Sequence, residues 1–301
     1  VIAHQHSTRL MWTLVLIGLG AVSSAAILIK LCAAPPFTIA AYRLTIAAIV
    51  FVTATLLREG SPLRPFSRRQ LAIAVASGGF LCLHFATWIT SLRYTSVASS
   101  VVLVQTAPIF VALGSYVLLR ETPRPLTGVG ILLAFLGGFV IAGNDRGSSP
   151  ETLRGDLLAL AGAIGAAGYW VAGRRLRTTI GILPYAAVVY TTAAILLTAL
   201  AVATGARLWP YPRHTLLLLF LIGMVPQVIG HTSFNYGLRF LSASVVSVLV
   251  LGEPVGATLL AYFILGEPVS AMKAAGGITI LLGVYLAARA EAPAATAGET
   301  V

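Results

Sequence analysis

The apolar stretch Leu241 to Leu265 (LSASVVSVLVLGEPVGATLLAYFIL) carries an acid and a proline, Glu253 and Pro254, near its middle. At about 1.5 Å of rise per residue these 25 residues reach across a bilayer and place Glu253 near the midplane. An ionised group there costs on the order of 3 kcal/mol on insertion scales, so an intramembrane carboxylate marks a functional site by default. Pro254 has no N–H to donate, and its ring pushes against the carbonyl of Val250. The helix is therefore expected to kink or open there. The same plan occurs in Thr95 to Leu119, centred on Pro108.

These two stretches are copies. Leu92-Arg93-Tyr94 matches Leu238-Arg239-Phe240, Pro108 matches Pro254 and Glu121 matches Glu267, all at one offset (254 − 108 = 146). Lys30 aligns with Arg177 and Tyr42 with Val189 at 147. A period this long is a duplicated half holding several crossings, not a solenoid unit.

Continuous apolar runs give ten predicted helices: 11–31, 36–57, 70–91, 95–119, 126–143, 154–173, 182–204, 214–237, 241–265 and 271–289. A hydrophobic share of 58%, a charged share of 10% and a mean hydropathy of +0.92 exclude two soluble domains. The net charge of +11 sits in short connections, where it anchors topology and meets lipid headgroups, so no nucleic-acid partner is expected. Cys32 and Cys82 lack metal-ligand spacing and read as packing residues. The run after Arg9 has a counterpart in the second half and is not expected to be a cleaved signal; the polar end EAPAATAGETV reads as a disordered tail.

With the N-terminus inside, that side holds 12 of the 20 Lys and Arg residues and the other side 7, Arg43 being the remaining one. Both termini are thus expected in the cytoplasm, in a bacterial inner membrane. Five crossings per copy is odd, so the second copy starts on the opposite face. The fold expected is all-α and polytopic, with ten transmembrane helices in two inverted five-helix repeats, residues 1–147 and 148–290, and a tail over 291–301. Inverted repeats with interrupted helices are the build of secondary transporters, because two halves of opposite topology exchange roles to open inward or outward.

Residues 92–143 and their second copy resemble the repeat of the drug/metabolite transporter superfamily, EamA-type. The shared marks are a mid-helix proline (Pro108, Pro254), Glu at the end of the same helix (Glu121, Glu267) and a following helix with spaced glycines (Gly130, Gly137; Gly276, Gly283). The resemblance implies a central cavity lined chiefly by the first, third, fourth, sixth, eighth and ninth helices, and export of small metabolites, often amino acids. Bacterial exporters of aromatic amino acids are similar in general character. Family members commonly carry an aromatic residue inside the first and sixth helices, where this chain has Gly20-Ala21-Val22 and Gly165-Ala166. The cavity is then either wide or shaped by Tyr169 and Trp170.

The candidate substrate-binding residues are polar or aromatic groups inside predicted spans. Glu253 either bonds backbone freed by Pro254 or serves as a cavity carboxylate that takes a substrate ammonium group or a proton. Arg43, some seven residues into its helix, either faces the bundle or snorkels to the outer headgroups. His84, Trp88 and Ser91 share one helical stripe, and Gln227, His231 and Asn235 another; each faces a cavity or a satisfying neighbour. Gln105, one turn before Pro108, joins them, and Tyr169, Trp170 and Tyr190 are candidate aromatic walls. Pro108 and Pro254 are the candidate hinges. Glu121 and Glu267 are read as helix-starting acids, and Gly162, Gly165 and Gly168 as a close-packing face.

Catalytic patterns are absent: there is no HExxH, no glycine-rich phosphate loop and no defensible Ser/His/Asp set. A metal site from His84, His231 and Glu253 would need three separate helices to converge. The function expected is a secondary carrier that exports amino acids or related metabolites, with a small-molecule substrate and membrane lipid as partners, as a monomer and without a cofactor. The rivals are a drug or nucleotide-sugar carrier, a membrane-embedded metalloenzyme and a channel.

Overall fold

Apolar runs of this length have no water to satisfy their peptide groups inside a bilayer, so each must close its own hydrogen bonds as a helix. The computed structural model describes residues 2–95, 100, 103–122, 124–142, 150–265 and 269–291. Among them the elements are α1 (Ile2–Ser23), α2 (Ala25–Leu31), α3 (Pro36–Glu59), α4 (Arg68–Ser91), α5 (Ala107–Gly114), α6 (Pro125–Ala142), α7 (Pro150–Arg177), α8 (Ile182–Ala203), α9 (Arg213–Ile222), α10 (Thr232–Gly237), α11 (Ala243–Val250), α12 (Glu253–Leu265) and α13 (Ala271–Glu291). A π-helical segment, Ser115–Leu119, continues α5, and another, Gly223–His231, joins α9 to α10. Seven runs are long and apolar enough to cross a membrane, and three shorter apolar helices (Ala107–Leu119, Pro125–Val140, Ala274–Ala287) complete ten rods. The chain is an all-α polytopic membrane protein.

Local chemistry sets the ends. The Ser67 hydroxyl accepts from Gln70 N–H while the Gln70 side-chain Oε1 accepts from Ser67 N–H, a reciprocal cap that starts α4. Gly60, with φ 76°, closes α3 in a conformation that suits only glycine well.

Among the described residues four of the ten rods are interrupted, two beside the hinge candidates Pro108 and Pro254 and two where no break is expected. The ninth breaks at Leu251–Gly252, where Leu251 N–H reaches back only to Val248 (3.0 Å) and Gly252 N–H to Leu249 (3.2 Å), so Glu253 and Pro254 begin a new helix at mid-span. The fourth turns at Gln105–Thr106, ahead of Pro108. The expected single helix over 11–31 is split at Ser24. Ser23 Oγ bonds Leu19 O and Ser24 Oγ bonds Ala21 O, both at 2.7 Å, and serines that bond back in this way bend helices. The expected unbroken helix over 214–237 widens into the π segment around Pro226, which has no N–H for a regular ladder. Glu267 and the tail over 292–301 lie outside the described residues.

Helices α6 and α13 show the direction of the halves. A Cβ on Gly130 would stand 2.6 Å from Gly283 O, and one on Gly137 would stand 2.5 Å from Gly276 O. Rising numbers on α6 therefore meet falling numbers on α13, so the helices run antiparallel. Since Gly130 corresponds to Gly276 and Gly137 to Gly283 (276 − 130 = 146), equivalent helices run in opposite senses, which is an inverted repeat. Other packing obeys the same exchange. Helix α4 lies on α7, and their equivalents, α1 and the α9–α10 rod, lie on each other; α3 packs on α8, its own equivalent.

Candidate functional site

The site grows from glycine contacts. A Cβ on Gly165 would lie 2.6 Å from His84 N, and one on Gly168 would lie 2.5 Å from the Phe80 ring, so the expected close-packing face of α7 is where α4 docks. This approach lets His84 Nδ1 meet Gly162 O at 3.0 Å, which fixes the imidazole. Its ring stacks on Trp88 at 5.8 Å and 8°. On the other side Gly18 admits Ser233 and Gly230 admits Val22 in the same manner, which positions His231. The His231 ring stacks on Trp170 at 5.9 Å and 4°. His84 and His231 occupy one repeat position (231 − 84 = 147), and their centroids are 6.4 Å apart. Two near-parallel ring stacks thus face each other where the halves meet.

Around this pair lies a cavity of about 50 Å³, walled by both halves. That is room for a few water molecules, less than a metabolite needs, so binding such a ligand requires the walls to part. Of the candidate residues, Arg43, His84, Trp88, Gln105, Tyr169, His231, Glu253 and the hinge candidate Pro108 line it. Gln227, Asn235 and Tyr190 stand one layer behind, and Pro254 follows Glu253 without lining the cavity. Trp170 supplies a further wall, so of the two alternatives for the cavity it is narrow and shaped by Tyr169 and Trp170. The remaining lining groups, among them Val22, Ala25, Ala166 and Ser247, were not among the candidates. Val22 and Ala166 stand in the stretches Gly20-Ala21-Val22 and Gly165-Ala166 that the family resemblance marks, and Val22 is also the repeat equivalent of Tyr169 (169 − 22 = 147).

Arg43 faces the bundle and does not snorkel: it is 1% exposed. Its Nε donates to Gln227 Oε1 at 2.8 Å, and its guanidinium lies 4.2 Å from the centroid of the Phe85 ring. In the second half the equivalent position is Tyr190 (190 − 43 = 147). The Tyr190 hydroxyl bonds Thr232 Oγ1 at 3.1 Å and accepts from Asn235 Nδ2 at 3.0 Å, and the same amide donates to the Tyr169 hydroxyl. Phe85 and Thr232 are themselves equivalent (232 − 85 = 147). One half therefore pairs a cation with an aromatic face where the other closes a neutral hydroxyl–amide network.

Ser91 turns from the cavity to bond Ser100 at 2.6 Å. Glu121, expected to serve the helix after it, instead accepts from Arg174 Nε at 3.0 Å, and Arg174 also donates to Leu238 O at 3.0 Å. This pair ties the ends of the fourth, sixth and eighth rods together. His84, His231 and Glu253 share the cavity, but no group able to hold a metal is formed among the described residues.

Comparison with known proteins decides what this arrangement belongs to. The profile of the EamA-like transporter family matches twice, over residues 10–143 and 153–289. The chain belongs to the EamA-like transporter family. Within reach of this EamA chain are an uncharacterized transporter of Archaeoglobus fulgidus, 26% identical over 252 residues covering 83% of this chain and 87% of that one, and the uncharacterized transporter YyaM of Bacillus subtilis, 24% identical over 262 residues covering 84% of each. A solved crystal structure of a protein 26% identical superposes with a TM-score of 0.77, over 91% of this chain and 96% of that one. The EamA family is one of transporters, which is the finding against an enzyme, and its two matched copies agree with the duplication read from the glycines and prolines.

Proposed function

We propose that this EamA transporter exports small amphipathic metabolites, foremost aromatic or other neutral amino acids and their relatives, from the cytoplasm by alternating access. The observation that carries the reading is that one cation and one acid, Arg43 and Glu253, line the same aromatic-walled cavity between inverted halves. Such a cavity suits a ligand with charges of both signs and a flat or apolar body. The four interrupted rods give the walls places to bend, and the breaks at Gln105–Thr106 and Leu251–Gly252 lie beside the cavity. The excess of arginine on one side supports cytoplasmic termini in an inner membrane.

The test is exchange in liposomes. Purified protein loaded with an unlabelled neutral amino acid is expected to drive saturable counterflow of the labelled one. Flux that never saturates and shows no counterflow would instead describe a channel, and no flux of any amino acid would end the amino-acid reading.

A further inference from the structure

We propose that Arg43 is the seat of a substrate carboxylate, and that the ligand is selected as a small organic carboxylate with a planar body, whether or not it carries an amino group. This inference rests on the carrier reading and deepens it.

A guanidinium has five N–H donors in a planar fork. In Arg43 only Nε is hydrogen-bonded; Nη1 and Nη2 are buried without a hydrogen-bond partner, and the nearby Glu253 acts on the guanidinium through its charge without bonding it. The plane of the fork is set in advance by the Gln227 bond at one edge and the Phe85 ring across one face. The free edge belongs to a cavity-lining side chain. Two further buried nitrogens on the cavity wall, Trp88 Nε1 and His231 Nδ1, also have no hydrogen-bond partner. The two unbonded Nη groups of a fixed fork match two coplanar oxygens of one negative group.

A merely structural arginine behaves differently, and the chain contains one. Arg177 is as buried as Arg43, yet its Nε donates to Asn235 O and its Nη1 to Ile180 O, so its charge is spent on backbone carbonyls. Tyr190, which occupies the Arg43 position in the second half, has its hydroxyl fully engaged by Thr232 and Asn235. The duplicated fold therefore offers one anion seat. The stacked pairs Trp88–His84 and Trp170–His231 line the same cavity, each with nearly parallel rings and tilted 52° to one another, and their aromatic faces favour a flat apolar body behind the carboxylate.

The experiment uses the full-length protein in detergent and reads thermal stability against 3-phenylpropanoate and L-phenylalanine, each compared with its own carboxamide. Both acids are expected to stabilise wild-type protein at concentrations at least about tenfold below those of the amides, since a site built for a polar group rejects the analogue that lacks it. In Arg43→Gln the preference is expected to fall below about twofold, with Arg43→Lys between the two because it keeps the charge without the fork. The wild-type comparison needs no variant, so it decides the matter even if Arg43→Gln fails to fold. Equal response to acid and amide, no response to either acid, or a preference kept in Arg43→Gln overturns the seat. The two readings fail separately. Saturable exchange of amino acids without acid-over-amide preference leaves the carrier and removes the seat, whereas 3-phenylpropanoate preference without amino-acid exchange keeps the seat and removes the amino-acid substrate.

Discussion

Gly130 and Gly283 approach so closely that neither position has room for a side chain: a Cβ on either would stand 2.5–2.6 Å from the carbonyl oxygen of the other. Backbone meets backbone there, and a backbone cannot swing aside as a flexible side chain can. Without a hydrophobic drive between helices in lipid, such close van der Waals packing is a principal source of association between α6 and α13.

Gly130→Ala is accordingly expected to destabilise the protein by about 1–3 kcal/mol through overpacking. Gly128→Ala, two residues away with nothing within 4 Å of its added Cβ, is the control and should be neutral. Thermal denaturation in detergent compares them; equal melting of the two variants would contradict the interlocked packing.

Asn235 is 0% exposed and its amide holds the hydroxyls of Tyr169 and Tyr190 together. Interhelical hydrogen bonds in membranes contribute about 0.6 kcal/mol each and at most about 1.7, so Asn235→Ala should cost about 1–3 kcal/mol. Thr232→Val, which removes one bond to Tyr190, should cost less than about 1 kcal/mol. Unfolding by denaturing detergent measures both, and a larger loss in Thr232→Val would reverse the ranking.

Glu253→Gln and Pro254→Ala are expected to impair liposome exchange while leaving folded protein. The first removes the only acid of the cavity wall among the described residues, and the second closes the ladder across the mid-span break. Restored N–H bonding at residue 254 favours a straight ninth rod by removing the ring that opposes it. Wild-type exchange in both variants would remove the assigned roles.

The Glu121–Arg174 pair is partly exposed, at 33% and 20% of the two side chains, so screening limits its contribution to about 0–1 kcal/mol. A double-mutant cycle with Glu121→Gln and Arg174→Gln should give a coupling in that range that shrinks as salt rises. A coupling above about 2 kcal/mol would show that the pair is shielded from solvent to an extent its exposure does not indicate.

Much of the architecture is legible in the sequence because lipid leaves so few options. Length and apolarity yield the rods, and the constant offset between prolines, glutamates and glycines yields the duplication and, through an odd number of crossings, its inversion. The break before Pro254 is legible for the same local reason. The split at Ser24 is not, since serine bends a helix only when its hydroxyl turns back, and Pro226 stands in a run whose periodicity gives no sign of widening. In the site, the stripes carrying His84 and His231 point to the cavity, but the Asn235 network joins three rods and has no signature in any one. The partnership of Glu121 with Arg174 is hidden likewise: a short-range preference for a following helix lost to a cation more than fifty residues away. Least visible of all is the size of the cavity, which depends on how sixteen side chains from both halves pack together.

The paired imidazoles fill one repeat position, so the residue type there favours neither half, although only His84 has its Nδ1 bonded, to Gly162 O. Arg43 has no such neutrality, because its mirror place is filled by a phenol. On the proposed carboxylate seat, a cargo would sit nearer one flank than the other. A passage built by doubling thus acquires a handedness of its own from the side chains its halves do not share, Arg43 against Tyr190 and Phe85 against Thr232 among them.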